Sequence, residues 1–500
     1  MTRICQFFIL IVTTGFLFLS QTSTAQVDDA HFGISSLHNQ NAAFLDEYNR
    51  TVILHGLNEM NKRAPYRPDA IGFDLKSMQF FNTYGFNAVR LGVFWAAIEP
   101  IPGVYNFSYL DKIKHTIELL KDYGIYTLID FHQDGYSSKY NNGLGAPVWA
   151  ALSPTEEGVK PGFPVNLFGG QDGISLVTDR NYEFFWTNQS GPGGRDLQNY
   201  YFDMVKVVSR FFLHTSGIMG YEIMNEPFPG VTWSTCYDEK TKFSAGCPQF
   251  DINFLSPFYS SFVSAIRSVD KDRIVFYEPN VFFDSGSPTF VMAPKDNNIG
   301  FSFHNYDNDD PKQVFDYARQ HVAATTSVPF MTEFGAALAD TSQLTELVEM
   351  ADQDQLSWLE WAYTNNPGFK FAHFPKIPDD QRDQGIVYDA TLPLEGNNVK
   401  WDRLRVLSRV YPQVVAGKIR EYQFVFTSKV FTLRYDIKNA AGQSISSNPY
   451  SKIFIPRFIY PLGYKIKVEG ARVVETPDKN VLILKNKTES NAVSLIIFPV

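Results

Sequence analysis

Long runs of Lys and Arg are missing from this 500-residue chain, and its formal net charge is −9. A protein that tracks a phosphate backbone needs such runs, so nucleic acid is excluded as a partner. Cysteine is scarce, three in all, which leaves room for at most one disulfide. There are no internal repeats and no low-complexity tracts, which excludes a solenoid or a repeat array. Beyond residues 7–19 no stretch is apolar for long enough to cross a bilayer, which takes about 20 residues. No metal-ligand spacing stands out, because His132-x-Asp134 has no third ligand at a familiar interval; no cofactor and no metal are expected.

What is present is ordinary globular composition, 44% hydrophobic and 19% charged, with 44 Phe and 26 Tyr. That aromatic excess serves either to pack a large core or to stack on sugar rings. Residues 1–25 carry Arg3, the apolar run from Phe7 to Leu19 and the small residues Ser23-Thr24-Ala25, the pattern of a cleaved secretory signal peptide. The expected location is therefore outside the cell, in a digestive lumen or in a lysosome-like compartment, with no transmembrane segment in the mature chain. Cys5 leaves with the signal, and Cys236 and Cys247 remain to form a disulfide in an oxidising compartment. Closing a loop of about a dozen residues contributes roughly 3 kcal/mol in the chain-entropy model. Sequons at Asn49, Asn106, Asn188 and Asn486 are compatible with secretion as a glycoprotein.

After the signal, short β-rich runs alternate with helical patterns, the signature of βα units on a parallel sheet. Candidate strands cover residues 51–58, 87–93, 126–133, 218–226, 273–280, 298–306, 328–333 and 357–363. Eight such units predict an α/β chain folded as a (β/α)8 barrel over residues 26–411, with the active site at the C-terminal ends of the strands. Leu110, Ile113, Ile117 and Leu120 place a helix over 109–123, with Gly124 as its stop. Residues 140–195 are too long for a simple turn and are expected to form an elaborated loop over the barrel mouth. From residue 412 onward short strands follow one another without helices, which predicts a separate small C-terminal β-sandwich over 412–500.

Two strand-end glutamates suggest a functional pair. Glu226 closes the apolar run Gly220-Tyr221-Glu222-Ile223-Met224-Asn225, and Pro227 then stops the ladder because it has no N–H to donate. Glu333 closes a second run just before Gly335. Retaining glycoside hydrolysis needs two carboxyls about 5 to 5.5 Å apart, one as nucleophile and one as acid then base. Asn225 can reach a sugar hydroxyl beside them. Asp130, His132 and Asp134 share a face by strand alternation, as do Ser302, His304 and Tyr306; His132, Asp134 and His304 are candidate sugar contacts, and a Tyr306 hydroxyl beside a carboxylate can hold it ionised and aimed. Arg90, a cation inside an apolar strand, must be paired, with Glu333 or Glu222 as the expected partner and Glu222 in a structural role. Trp361 offers an apolar face to a sugar ring, and Lys62 stands in the first βα loop. Phe228, Trp233, Phe282 and Phe283 are candidates for an apolar groove.

Taken in order, Asn58, Arg90, Asp130-His132, Asn225-Glu226-Pro227, His304-Tyr306, Thr332-Glu333-Phe334-Gly335 and Trp361 resemble the retaining glycoside hydrolases of family 5 over residues of roughly 45 to 365. Asn58-Glu59-Met60-Asn61-Lys62, the run His132-Gln133-Asp134-Gly135-Tyr136-Ser137, the aromatic loop through Trp186 and the trailing β-domain look most like the endoglycoceramidases of that family. The resemblance implies cleavage of the β-glucosidic bond between oligosaccharide and ceramide, with Glu226 as acid/base, Glu333 as nucleophile, and Lys62, Asp134, Asn225, Tyr306 and Trp186 as glycan contacts. A glycosphingolipid sits in a micelle or membrane, so a detergent or an activator is expected to be needed. Two other readings are a β-glucosylceramidase or endo-β-1,4-glucanase of the same chemistry, and a secreted glycolipid-binding protein with an inactive barrel.

Overall fold

Strands from before and after the barrel fold into one sheet, and the barrel is strung between them. The computed structural model describes residues 32–500 other than 141–142, 155–174, 239–242, 307–309, 336–340, 365–384, 440–441, 444, 446–447, 475–477 and 479. The predicted signal segment and Cys5 therefore lie outside the described residues. Three short strands, β1 (His38–Gln40), β2 (Ala43–Leu45) and β3 (Thr51–Val52), come first. The barrel strands are β4 (His55–Glu59), β5 (Ala88–Val93), β6 (Tyr126–Phe131) and β7 (Ile218–Glu222), then, after the two-residue strands β8 (Tyr237–Asp238) and β9 (Phe243–Ser244), β10 (Ile274–Tyr277), β11 (Ile299–Asn305), β12 (Val328–Phe334) and β13 (Ser357–Glu360). These eight close in chain order, all parallel, with β13 pairing back onto β4.

Each barrel strand is buried along nearly its whole length, as a parallel strand covered on both faces must be, and β5, β6, β10 and β12 are mostly apolar. The exceptions on β5 and β6, Arg90 and Asp130, are wholly buried. The outer helices are α1 (Leu75–Tyr84), α2 (Phe107–Asp122), α3 (Leu176–Trp186), α4 (Leu197–Phe212), α5 (Ser256–Arg267), α6 (Pro311–Thr325), α7 (Thr341–Gln353) and α8 (Trp401–Leu407). Helix α2 is the one expected at 109–123: the Asn106 side chain caps it by accepting from the Tyr109 N–H at 3.1 Å, and Gly124 takes φ 73° just past its end. A glycine accepts that left-handed turn without a Cβ clash.

Three expectations need correction. The run 51–58 is not one strand: Thr51 and Val52 pair with the C-terminal sheet, and only His55 onward joins the barrel. The fourth barrel strand stops at Glu222, so Asn225 and Glu226 sit on a turn beyond it, where Glu226 has φ 43°. The stretch 140–195 is not irregular throughout, because it holds α3, capped by the Ser175 hydroxyl, which accepts from the Thr178 N–H at 3.2 Å.

The C-terminal strands are β14 (Tyr411–Val415), β15 (Lys418–Val425), β16 (Val430–Asp436), β17 (Tyr450–Phe454), β18 (Tyr464–Glu469), β19 (Ala471–Val474), β20 (Val481–Asn486) and β21 (Ala492–Pro499). They form two sheets, ordered β1-β2-β3-β14-β17-β20-β19 and β15-β16-β21-β18, around a core that includes Tyr422, Phe424, Phe431, Leu433, Leu484 and Ile497. The break expected at 412 falls inside β14, and one sheet takes three of its strands from before the barrel. Cys236 and Cys247 are joined, closing the β8–β9 hairpin. The sequon residue Asn486 donates its amide to the Ala416 carbonyl at 2.8 Å. Among the described residues no helix is long and apolar enough to cross a membrane.

Two buried contacts fasten barrel to sandwich. His55 lies stacked between Trp358 at 4.1 Å and Tyr411 at 3.8 Å. Arg409 donates to Asp352 of α7 at 2.6 Å and to the Phe424 carbonyl at 2.9 Å, with both charged side chains wholly buried. Removing one partner of a buried pair strands the other charge. Asp352→Ala should therefore lower unfolding stability by about 3 to 5 kcal/mol, read as an earlier midpoint in guanidinium denaturation.

Candidate active site

The site is built around one guanidinium. Arg90 on β5 lies in register with Asn58 on β4, points to the barrel axis and is wholly buried. It bonds Glu222 and Glu333, and its remaining donors reach Asn225 Oδ1 at 2.8 Å, Asn58 Oδ1 at 3.1 Å and Asp130 Oδ2 at 3.2 Å. Arg90 thus pairs with both of its expected partners, and Glu222 is its structural ligand. Only a planar fork of five donors can serve so many acceptors at once. Asn58 in turn donates to the Thr332 carbonyl at 2.9 Å, tying the first barrel strand to the one that carries Glu333.

Above Arg90 the two predicted glutamates meet. Carboxylate oxygens of Glu226 and Glu333 and a ring nitrogen of His304 all lie within 4.8 Å of one another. His304 Nδ1 is 3.0 Å from Glu226 Oε1 and 3.7 Å from Glu333 Oε2, so this histidine is wedged under the pair rather than free for a sugar. Tyr306 donates its hydroxyl to Glu333 Oε2 at 2.9 Å. Asn225 is also engaged by protein: its oxygen accepts from Arg90, and its amide donates to the Gln133 carbonyl at 3.0 Å.

A second group forms the adjoining wall. Lys62 Nζ contacts Asp134 at 2.5 Å and lies 4.3 Å above the Trp361 ring. The His132 ring is parallel to Trp361 at 5.9 Å and bridges Asp130 at 2.8 Å and Asp134 at 3.3 Å. Asn225 Nδ2 reaches Asp134 Oδ1 at 3.5 Å, joining the two groups. Trp361 is half-buried beside this charged edge.

Trp186 is not among them. It is core, 5% exposed, packed on Phe250 and Phe258, and its indole N–H donates to the Phe228 carbonyl at 2.7 Å. Phe228, Phe282 and Phe283 are likewise buried in the core, so they form no open groove; Trp233 is half-buried and donates to Asp179 at 3.1 Å. Sequence reasoning missed Asp284, whose carboxylate is 3.8 Å from His304 Nδ1; a lone acid after Val281-Phe282-Phe283 was its only signal. Glu278, just past the end of β10, accepts the Glu226 N–H at 3.2 Å.

Environment divides these groups into opposite charge states. Burial, reinforced by Asp134, pushes Glu226 up to about 7 against the pull of Lys62, His132 and Arg90. Burial holds His304 down to about 4, even with Glu333 beside it, so at neutral pH it adds no positive charge that would strip the Glu226 proton. His132 goes the other way: burial opposes its charge, but Asp130 and Asp134 raise it to about 9. Burial also opposes ionisation of Asp134, yet Lys62 and then His132 hold it well below the usual carboxylate range. Glu278 is pushed well up by burial and Glu222, and Asp284 by burial and Glu226. The triads Glu226–His304–Glu333 and Glu222–Glu278–His304 have spacings that suit a cation, but Arg90 already supplies Glu222 and Glu333 with positive charge.

Comparison with known proteins gives the family and the fold. The profile described as cellulase (glycosyl hydrolase family 5) matches residues 45–367, and that of the glycoside hydrolase family 5 C-terminal domain matches 409–497. Endoglycoceramidase I of Rhodococcus hoagii is 27% identical over 475 residues, 90% of this chain and 85% of that protein. Endoglycoceramidase of Cyanea nozakii is 28% identical over 470 residues, 88% of each. The endo-glycoceramidase II of a Rhodococcus species, solved as its ganglioside GM3 complex, superposes with a TM-score of 0.69 at 23% identity, covering 91% of this chain and 99% of that one, and so shares its fold.

The charge states are directly measurable. Carbon-detected NMR of glutamate-labelled protein should show a carboxyl titrating near pH 7, above the usual glutamate value of about 4.3, and Glu226→Gln should remove that signal.

Proposed function

The chain belongs to glycosyl hydrolase family 5, and from that premise we propose that it is a retaining glycoside hydrolase that splits glycosphingolipids between oligosaccharide and ceramide. The observation that carries the catalytic assignment is the approach of Glu226 and Glu333 within 4.8 Å. Retention uses carboxyls about 5 to 5.5 Å apart, whereas inversion leaves about 6.5 to 9.5 Å for a water. Relatives named endoglycoceramidase that align over about nine-tenths of the chain support the lipid substrate.

In the first step Glu333 attacks the anomeric carbon while the Glu226 proton passes to the glycosidic oxygen, so that ceramide leaves as an alcohol. The product is a glycosyl ester on Glu333. In the second step the Glu226 carboxylate takes a proton from water, whose oxygen displaces Glu333 from the anomeric carbon. Arg90 and the Tyr306 hydroxyl hold Glu333 as the aimed anion, while its buried site and the neighbouring Asp134 keep the proton on Glu226 until it is needed. Lys62, Asp134, His132 and Trp361 form the wall on which the sugar would lie, apolar face to the indole and hydroxyls to the charges. The substrate reaches this site from a micelle or membrane surface, with detergent or an activator to lift it. Export of the chain is part of this reading, supported by the Cys236–Cys247 disulfide, a bond of oxidising compartments.

Purified protein incubated with a ganglioside in detergent micelles should release an intact oligosaccharide and free ceramide, identified by mass. Glucose released from glucosylceramide alone, or cleavage of a soluble cellulose derivative alone, would overturn the substrate and keep the chemistry. No cleavage of any of the three, with the ganglioside retained by the protein, would favour an inactive binding barrel. Glu333→Gln should lower turnover at least about a thousandfold with the fold intact; near-normal hydrolysis by that variant would refute the nucleophile. Because Glu226 must enter the first step protonated, kcat/KM should fall as pH rises through about 7.

A further inference from the structure

We propose that Gln133 and Tyr182 are positioning residues for Glu226, through which helix α3 fixes the place of the acid/base carboxyl. The inference rests on the reading of Glu226 as acid/base, and neither residue touches a reacting atom.

Glu226 needs an outside restraint. It sits four residues past the end of β7 with φ 43°, a left-handed conformation that costs a residue with a Cβ roughly 1 to 3 kcal/mol, and Pro227 after it has no N–H to anchor the turn. Gln133 supplies the restraint. Its Nε2 donates to the carbonyls of Asn225 at 2.8 Å and Glu226 at 3.1 Å, and its own carbonyl accepts from Asn225 Nδ2 at 3.0 Å. The other end of the amide is fixed as firmly: Gln133 Oε1 accepts the Tyr136 N–H at 3.2 Å and the Tyr182 hydroxyl. Flipping the amide would set a donor against that N–H and an acceptor against two carbonyls, so only one orientation is open to it.

Tyr182 transmits the position of the helix. It is 1% exposed and packs on Phe228 at 5.3 Å between ring centres. Farther along the same loop a Cβ on Gly230 would meet the Asp179 carbonyl oxygen at 2.7 Å and the Glu183 nitrogen at 2.8 Å, so this glycine lets the loop lie directly on the α3 backbone. One turn on, Trp186 donates to the Phe228 carbonyl at 2.7 Å. Successive turns of α3 therefore hold Phe228 and Gly230 from one side, and Gln133, bonded to Tyr182 of the same helix, holds Asn225 and Glu226 from the other. A displacement of about 1 Å in a proton donor costs on the order of a hundredfold in rate.

The test separates proton donation from general damage. Tyr182→Phe removes one hydroxyl, and Gln133→Met keeps the length of the side chain without its polar atoms. For each, kcat/KM is measured on lactosylceramide in micelles, whose alcohol leaving group needs the Glu226 proton, and on dinitrophenyl β-lactoside, whose leaving group does not. The proposal expects a fall of about 10- to 100-fold on the lipid and no change on the aryl glycoside, with a single cooperative unfolding transition retained. A parallel fall on both substrates, or no fall on either, overturns it; if one variant fails to fold, the other decides. Glu226→Gln run alongside must show the same selectivity in larger measure. If it does not, the acid/base assignment itself has failed, whatever the two positioning variants do.

Discussion

A single guanidinium in the barrel interior sets the chemistry of the whole site. Arg90 is wholly buried, so its charge is tolerable only because Asp130, Glu222 and Glu333 surround it. The converse matters as much. The interior also holds Glu226, Glu278 and Asp284, and the nearby cations cannot balance every carboxylate, so those that do not bond Arg90 are driven to keep protons. Two glutamates within 4.8 Å thus differ in the one respect that double displacement requires: one is bonded to the fixed charge and the other is not. The histidines repeat the division. His132 is charged because two aspartates flank it, and His304 is neutral because burial outweighs the carboxylates beside it.

Much of this was legible in the sequence, for reasons that differ from residue to residue. The barrel could be read because short β-rich runs alternate with helical patterns eight times, as parallel βα units do. Arg90 could be paired in advance because a cation in an apolar strand has no other stable state. Glu226 and Glu333 were visible as acids that close largely apolar runs, although Glu226 stands past the end of its strand.

What stayed hidden depends on contacts between distant segments. Trp186 was carried over as a sugar contact from the family resemblance, and an aromatic in a long loop has no period to betray its burial; the structure puts it in the core, where its indole N–H serves the Phe228 carbonyl. The phenylalanines at 228, 282 and 283 went the same way, since Phe is chosen alike for grooves and for cores. Gln133 was passed over because strand alternation pointed it away from Asp130, His132 and Asp134, but the strand ends at Phe131 and alternation no longer governs it. Thr51 and Val52 continue the apolar pattern of the first barrel strand without a break, so nothing local shows that they belong to another sheet.

That shared sheet bears on how the chain is made. The Thr51 hydroxyl bonds the Gly417 carbonyl across 366 residues of sequence, and Thr51 and Val52 pair with Val415 and Val414. A ribosome adding about 5 to 20 residues per second needs roughly 20 to 70 seconds to travel from one partner to the other. Through that interval β3 has an open edge, the kind of surface that recruits strands from other chains. The barrel can begin to assemble vectorially from its first strands, but its N-terminal lead is sealed only when the last fifth of the polypeptide arrives.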